Sequence, residues 1–226
     1  MLAPPSLGQL SRELLLGRDV LRAAVRQPRL RSVPRGDGGP VLMITGFGGT
    51  DGSLFPLRLF LRRLGHDARP ADVGRVGDDV EALYPEIGRR CQALAEQTGR
   101  SVALVGWSIG GVLAREAARD HPRLVRRVIT FGTPVEGGPS YTALAGRYSA
   151  ARLAQIRSRI AERNQTPITV PVTAIWSPND GIVSPAACVD RVTPGVENLR
   201  VSSTHIGMGI DPDVWAATAG RLAAGS

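Results

Sequence analysis

The sequence predicts an α/β domain built on a doubly wound, mostly parallel sheet. Short, uninterrupted apolar runs such as Val41–Ile44 and Val102–Val105 read as central parallel strands covered on both faces. Amphipathic stretches of helical period lie between the runs, so strand and helix alternate along the chain. The 226 residues suffice for one sizeable domain and fall short of two. A hydrophobic content of 42% with 21% charged residues is the balance of a globular chain. Aromatic residues make up only 4%, which leaves the core to Val, Leu, Ile and Ala.

Residues 1–40 read as an N-terminal helix and lead-in, and residues 41–226 as the main domain. A single helix is expected over 6–27. Ser6 and Gln9 have capping-box spacing, Leu7, Leu10, Leu14, Leu21 and Val25 recur at helical intervals, and Pro28 lies just past the end. Arg12, Arg18, Arg22 and Arg26 occupy the other face. Packing on the domain is the expected role of this helix, and peripheral docking on an anionic membrane surface is the alternative. The polar, Gly/Pro-rich RSVPRGDGGP (31–40) then leads into the first strand.

Val41–Ile44 ends in the glycine-rich turn TGFGGTDG (45–52), and a helix is expected from Ser53 to Leu64. The turn has neither the Gly-Lys-Ser/Thr of a P-loop nor G-x-G-x-x-G spacing, which argues against a phosphate cradle. Its expected use is to aim the Phe47 N–H at the space above Ser108; a plain tight connection is the alternative. A weaker strand near Arg69–Val73 and a long helix from about Asp78 to Gln97 follow, with Gly99 as the stop. The run Val102–Val105 strikes Gly106-Trp107-Ser108-Ile109-Gly110, and a helical pattern begins at once behind it. Strand, sharp turn and helix would set Ser108 at the carboxyl edge of the sheet, above a helix N-terminus where N–H groups gather. Side chains at positions 106 and 110 would crowd such a reversal, so glycine there has a steric purpose.

Val125–Phe131 is the next strand. Residues 135–167 then break the alternation, with a helix over Ser149–Arg163 that carries Leu153, Ile156 and Ile160 on one face. This insertion reads either as a small cap over the catalytic edge or as a crossover helix. Val172–Trp176 is a strand ending in Ser-Pro-Asn-Asp-Gly. Asn198–Ser202 is a last short strand ending in Ser203-Thr204-His205, and a helix over Asp211–Leu222 closes the chain.

Serine needs a base to become a nucleophile near neutral pH, and the chain offers three histidines. His66 and His121 lie in connections at the opposite edge of the sheet and read as surface or capping residues. His205 follows a strand's carboxyl end, downstream of the serine, and is the candidate base. Asp180, one strand earlier at the same edge, is the candidate carboxylate that orients it, with Asp190 and Asp211 as substitutes. The backbone N–H groups of Ile109 and Phe47 are the candidate oxyanion donors. No metal and no organic cofactor enter this scheme. The pentapeptide G-x-S-x-G is weak support alone; its strand-to-helix setting and the order Ser, Asp, His strengthen it.

The remaining composition narrows the partners. The formal net charge is +8, and all 28 basic residues are arginine. They are spread along the chain without interleaved aromatics, so nucleic-acid binding is not expected. Cys91 and Cys188 do not make a disulfide framework or a metal site, and two buried thiols are expected. MLAPPSLGQL lacks the basic start and apolar stretch of a secretory signal, and no run reaches membrane-spanning length. The expectation from these features is a cytoplasmic protein.

VLMITGFGG (41–49), VALVGWSIGG (102–111), ITFGTPVEGG (129–138), Asp180-Gly181-Ile182-Val183 and Ser203-Thr204-His205-Ile206-Gly207 together resemble the α/β-hydrolase superfamily. Within it the chain is similar to compact bacterial esterases and triacylglycerol lipases, over the core from Val41 onwards. The resemblance implies an α/β-hydrolase fold, reduced at its N-terminal edge because the usual leading antiparallel strands are not visible. It also implies a catalytic triad of Ser108, Asp180 and His205 and a small ester or lipid substrate. Where many relatives have His-Gly before the oxyanion turn, this chain has Thr45-Gly46, a change that touches turn rigidity and pocket shape more than backbone donors. Transfer of the acyl group to another nucleophile, thioester cleavage, and a non-catalytic binding protein on the same fold are the competing functions.

Overall fold

A strand buried on both faces must send apolar side chains to both, and the first strand does so along its whole length. The computed structural model describes residues 2–77 and 79–224. Its strands are β1 (Pro40–Ile44), β2 (Asp67–Pro70), β3 (Val102–Trp107), β4 (Val125–Phe131), β5 (Val172–Trp176) and β6 (Glu197–Arg200). They form one sheet in the order β2-β1-β3-β4-β5-β6, and every neighbouring pair is parallel. No leading antiparallel strand occurs among the described residues.

The helices are α1 (Leu7–Leu10), α2 (Leu16–Arg26), α3 (Phe55–Arg63), α4 (Tyr84–Thr98), α5 (Ile109–Asp120), α6 (Ala150–Arg163), α7 (Pro185–Cys188) and α8 (Pro212–Ala223). Alternation along β1 divides the core in two. Val41 and Met43 join Leu57 and Leu61 of α3 and Val214 and Leu222 of α8 on one face. Leu42 and Ile44 join Ile87, Cys91 and Leu94 of α4 and Leu113 and Ala117 of α5 on the other. The sheet is therefore doubly wound, and the chain reverses its direction of travel between β1 and β3. Adjacent carboxyl ends splay apart at such a switch point and leave a crevice.

Several boundaries move for identifiable reasons. The helix expected from Ser53 opens as a 3-10 turn over Asp51–Leu54, and α3 follows with Pro56 in its first turn. Likewise α4 starts at Tyr84 with Pro85 in its first turn, behind a 3-10 turn over Glu81–Leu83. The expected start at Asp78 falls outside the described residues. Gly99, with φ 65°, ends α4 as expected. The weak strand sits at Asp67–Pro70, a little earlier than its apolar residues suggested.

The larger corrections concern the amino terminus and His66. The Ser6–Gln9 capping box forms, but 6–27 is not one helix: a 3-10 segment over Ser11–Leu15 separates α1 from α2. This arm meets the domain with its polar face. Arg12 donates to the Pro178 carbonyl oxygen at 2.7 Å, Arg22 to that of Ser202 at 3.1 Å, and Arg26 pairs with Asp213. Leu7 and Leu14 face outwards, 86% and 85% exposed, with Leu21 and Val25 also exposed. The surface beneath the arm is made of loop ends rich in backbone N–H and carbonyl groups. Such groups need polar partners more than apolar cover. His66 is buried rather than on the surface, its ring packed against Gly36. Burial and the nearby Arg126 hold its pKa below the ordinary value, against the smaller opposing pull of Asp37. His121 is exposed and caps the carboxyl end of α5, as expected.

Cys91 and Cys188 are free and buried, and burial pushes the Cys91 thiol up to about 12. Burial, with the charge of Asp180 added, holds the Cys188 thiol well above its ordinary range too. No described helix is long and apolar enough to cross a membrane.

The connection between β4 and β5 carries α6, capped by the Ser149 hydroxyl. Arg163 ties its end to Glu116 and Asp120 of α5, and Arg157 donates to the Ser140 hydroxyl at 3.2 Å. Helix α5 is itself anchored by a buried ion pair. Arg115 donates to Asp190 at 2.7 Å and to the Thr193 hydroxyl at 2.8 Å, and the Val192 and Thr193 N–H groups fill the other Asp190 oxygen. Replacing one partner of such a pair strands a charge away from water. Arg115→Leu is therefore expected to lower unfolding free energy by about 3–5 kcal/mol in denaturant melts. Arg115→Leu combined with Asp190→Leu should lose clearly less.

Candidate active site

A serine can be presented at a sheet edge only if the turn that carries it reverses sharply. Between β3 and α5, Ser108 adopts φ 55° and ψ −127°, one of only two positive φ values at described non-glycine residues. Its N–H donates to the Phe131 carbonyl oxygen at 2.9 Å, which fixes the turn to β4. The helix then runs so close to the sheet that a Cβ at Gly110 would collide with the backbone of Ile44 and Thr45. A Cβ at Gly106 would collide with that of Gly110 and Gly111.

The histidine and aspartate reach the same edge from β5 and β6. His205 Nδ1 lies 2.7 Å from Asp180 Oδ2, with both residues buried. The other Asp180 oxygen accepts the N–H groups of Ile182 at 3.0 Å and Val183 at 2.7 Å. Asn179 Nδ2 donates to the Ser202 carbonyl oxygen at 2.8 Å and joins the two loops. The Trp107 ring lies 5.8 Å from the imidazole, centroid to centroid, and Gly132 leaves room for it on another side. Ser108, His205, Phe47 and Ile109 all line one cavity of about 1000 Å³ at the switch point. Leu144, Ile156, Ile160, Val183 and Ile206 supply apolar wall to the same cavity.

The substitutes for Asp180 are occupied elsewhere. Asp190 holds Arg115, and Asp211 caps α8 by accepting the Asp213 N–H. Phe47 sits in the turn after β1, with the Arg147 guanidinium 5.3 Å above its ring. Thr45, in the position of the expected departure, is buried with its hydroxyl oxygen unpartnered among the described residues. Those residues also contain no group of three or more His, Cys, Asp or Glu placed to hold a metal ion.

Glu13, which no motif in the sequence marks, lies with its carboxylate against both loops. The Gly181 and His205 N–H groups donate to Oε1, each at 2.9 Å, and the Ile206 N–H donates to Oε2 at 3.1 Å. Asp19 similarly accepts the Thr204 N–H at 2.7 Å. No local pattern could have revealed these contacts, because they join segments far apart in the chain.

Burial of the imidazole disfavours its charged form, but the Asp180 charge and hydrogen bond, with Glu13 behind them, prevail and raise the His205 pKa. Chemically, the constellation offers a hydroxyl and an imidazole held by a carboxylate beside one mostly apolar cavity, whose wall also includes Phe47 and Ile109.

An α/β sheet with a serine on a strand-to-helix turn at its switch point defines the class. Residues 41–223 match the model of the alpha/beta hydrolase family, and the chain belongs to that family. Solved structures show the same fold at low identity. A metagenome-derived lipolytic enzyme of the LipS and LipT pair is similar at TM-score 0.66 and 16% identity, over 84% of this chain and 95% of that one. The mature lipase BlEst2 of Bacillus licheniformis gives 0.64 and 18%, over 85% and 95%. The monoacylglycerol lipase of Paleococcus ferrophilus gives 0.62 and 15%, over 86% and 97%. No curated protein matches the chain at a significant level.

NMR titration of the His205 ring should give a pKa above the ordinary histidine value of 6.5. Asp180→Asn removes the main source of that increase and leaves burial dominant, so the value should drop below 6.5.

Proposed function

We propose that the protein is a serine hydrolase of carboxylic esters, an esterase or lipase acting through an acyl-enzyme. The observation that carries this reading is the 2.7 Å contact between His205 and Asp180 on the wall of the cavity that Ser108 also lines. Ser108 Oγ attacks the acyl carbonyl while His205 Nε2 takes its proton. Asp180 holds Nδ1–H and offsets the positive charge that develops on the ring. The N–H groups of Ile109 and Phe47 receive the oxyanion. His205 then protonates the departing alcohol, and a water molecule repeats the sequence on the acyl-enzyme to release the acid.

The insertion over 135–167 serves in this reading as the cap. Its Leu144, Ile156 and Ile160 face the same cavity as Ser108, which suits the acyl chain of a lipid-like ester. The stacking of Arg147 on Phe47 links the cap to the oxyanion turn.

Purified protein should turn over nitrophenyl esters and react with a fluorophosphonate at one site. Ser108→Ala should abolish labelling and reduce kcat by at least about a thousandfold. Equal turnover by Ser108→Ala would overturn the assignment. Because neutral His205 is the base and its pKa is raised, kcat/KM should climb with pH through a midpoint above 6.5. Among esters of graded length, kcat/KM should rise from acetyl to medium-chain acyl groups as more of the apolar wall is covered, by up to about tenfold per two methylenes.

A further inference from the structure

A histidine and an aspartate on two separate loops are useful as a pair only if the loops keep a fixed spacing. Asp180 follows β5 and His205 follows β6, and the hydrogen bond between them cannot by itself set where each backbone lies. Glu13 reaches both. One of its oxygens is shared by the N–H of Gly181, next to Asp180, and the N–H of His205, while the other takes the N–H of Ile206. The approach is close enough to demand glycine, since a Cβ at Gly181 would lie 2.5 Å from the Gln9 carbonyl oxygen and 3.0 Å from Glu13 Oε1. A Cβ at Gly207 would likewise collide with the Asp19 carboxylate. Arg12 on the Pro178 carbonyl, Asp19 on the Thr204 N–H and Arg22 on the Ser202 carbonyl brace the same two loops from the same arm.

We propose that Glu13 is a positioning residue, whose carboxylate bridges the Asp180 and His205 loops and holds the carboxylate–imidazole pair ready for reaction. This rests on the serine-hydrolase reading of the site. Glu13 touches no reacting atom and acts through the backbone of its neighbours. Its negative charge has a second effect, because it favours the protonated imidazole. Asp180 from the β5 loop and Glu13 from the arm contact His205 itself, while Arg12, Asp19 and Arg22 of the arm, with Arg18 paired to Asp19, bind the loop residues on either side of it. Of these, Asp180 and Glu13 raise its pKa.

The test is Glu13→Gln in the full chain, with Glu13→Asp and Leu14→Ser beside it. Gln keeps the size but has one acceptor oxygen, so its NH2 group is set against the Ile206 N–H if the oxygen keeps Gly181 and His205, or against both of those if the amide turns over. Its kcat is expected to fall about tenfold or more with KM changed by less than about threefold, since small displacements of reacting groups act mainly on rate. Its acidic limb should move to lower pH. Glu13→Asp keeps the charge and loses reach, so the limb should return towards wild type while kcat stays low. Leu14→Ser, on the exposed side of the same segment, should match wild type. A Glu13→Gln protein with wild-type kcat and an unmoved limb overturns the proposal.

Two NMR readouts need no turnover. The proton between His205 and Asp180 should be lost or shifted in Glu13→Gln, and an unchanged signal counts against the bridge. In unaltered protein the Gly181 and His205 amides should exchange slowly with solvent; rapid exchange at either overturns the bridge even if no variant folds. Failure of unaltered protein to take up a fluorophosphonate would sink the hydrolase reading separately, leaving these two measurements to decide the role of Glu13.

Discussion

A buried carboxylate is tolerated only when its oxygens are hydrogen-bonded, and Asp180 sets that condition for the whole carboxyl edge of the sheet. It is fully buried, with one oxygen filled by the Ile182 and Val183 N–H groups and the other facing His205. The loop after β5 must therefore wrap back on its own side chain, and the loop after β6 must arrive with an imidazole in a single orientation. Much of the surrounding structure serves this demand. Gly132 leaves space for the ring, Asn179 joins the two loops, and the polar arm closes over both from outside. The other half of the edge is a backbone constraint, with α5 pressed against β1 so closely that Gly110 admits no side chain.

Where the pattern was local, the sequence was readable. β4 and β5 fall on their apolar runs, and Ser149 and Asp211 cap helices α6 and α8. That Ser108, Asp180 and His205 share one edge was legible because each follows a strand, and a parallel sheet gathers strand ends at one edge. Boundaries slipped where 3-10 turns precede proline in the first helical turn, as before Pro56 and Pro85. Periodicity does not distinguish such a turn from the helix it opens.

The arm shows what periodicity leaves out. Its Leu7, Leu14, Leu21 and Val25 are spaced as a buried face would be, yet they face outwards. Helical spacing reports which residues share a face, whereas the choice of inward face depends on the surface awaiting it. Here that surface is loop backbone, and it selects Arg12, Glu13, Asp19 and Arg22. The misreading of His66 has the same root, since its burial depends on Gly36, thirty residues before it, leaving room for a ring.

The two sealed thiols have a practical side. Cys91 and Cys188 lie inside the protein with their ionisation pushed far above neutrality, so neither offers a thiolate to a maleimide or a nitroxide reagent. A single cysteine introduced at an exposed site on α6, such as Arg152, would then be the one reactive sulfur, with both native residues left in place. Spin labels or fluorophores there would report whether that helix shifts relative to an unaltered core.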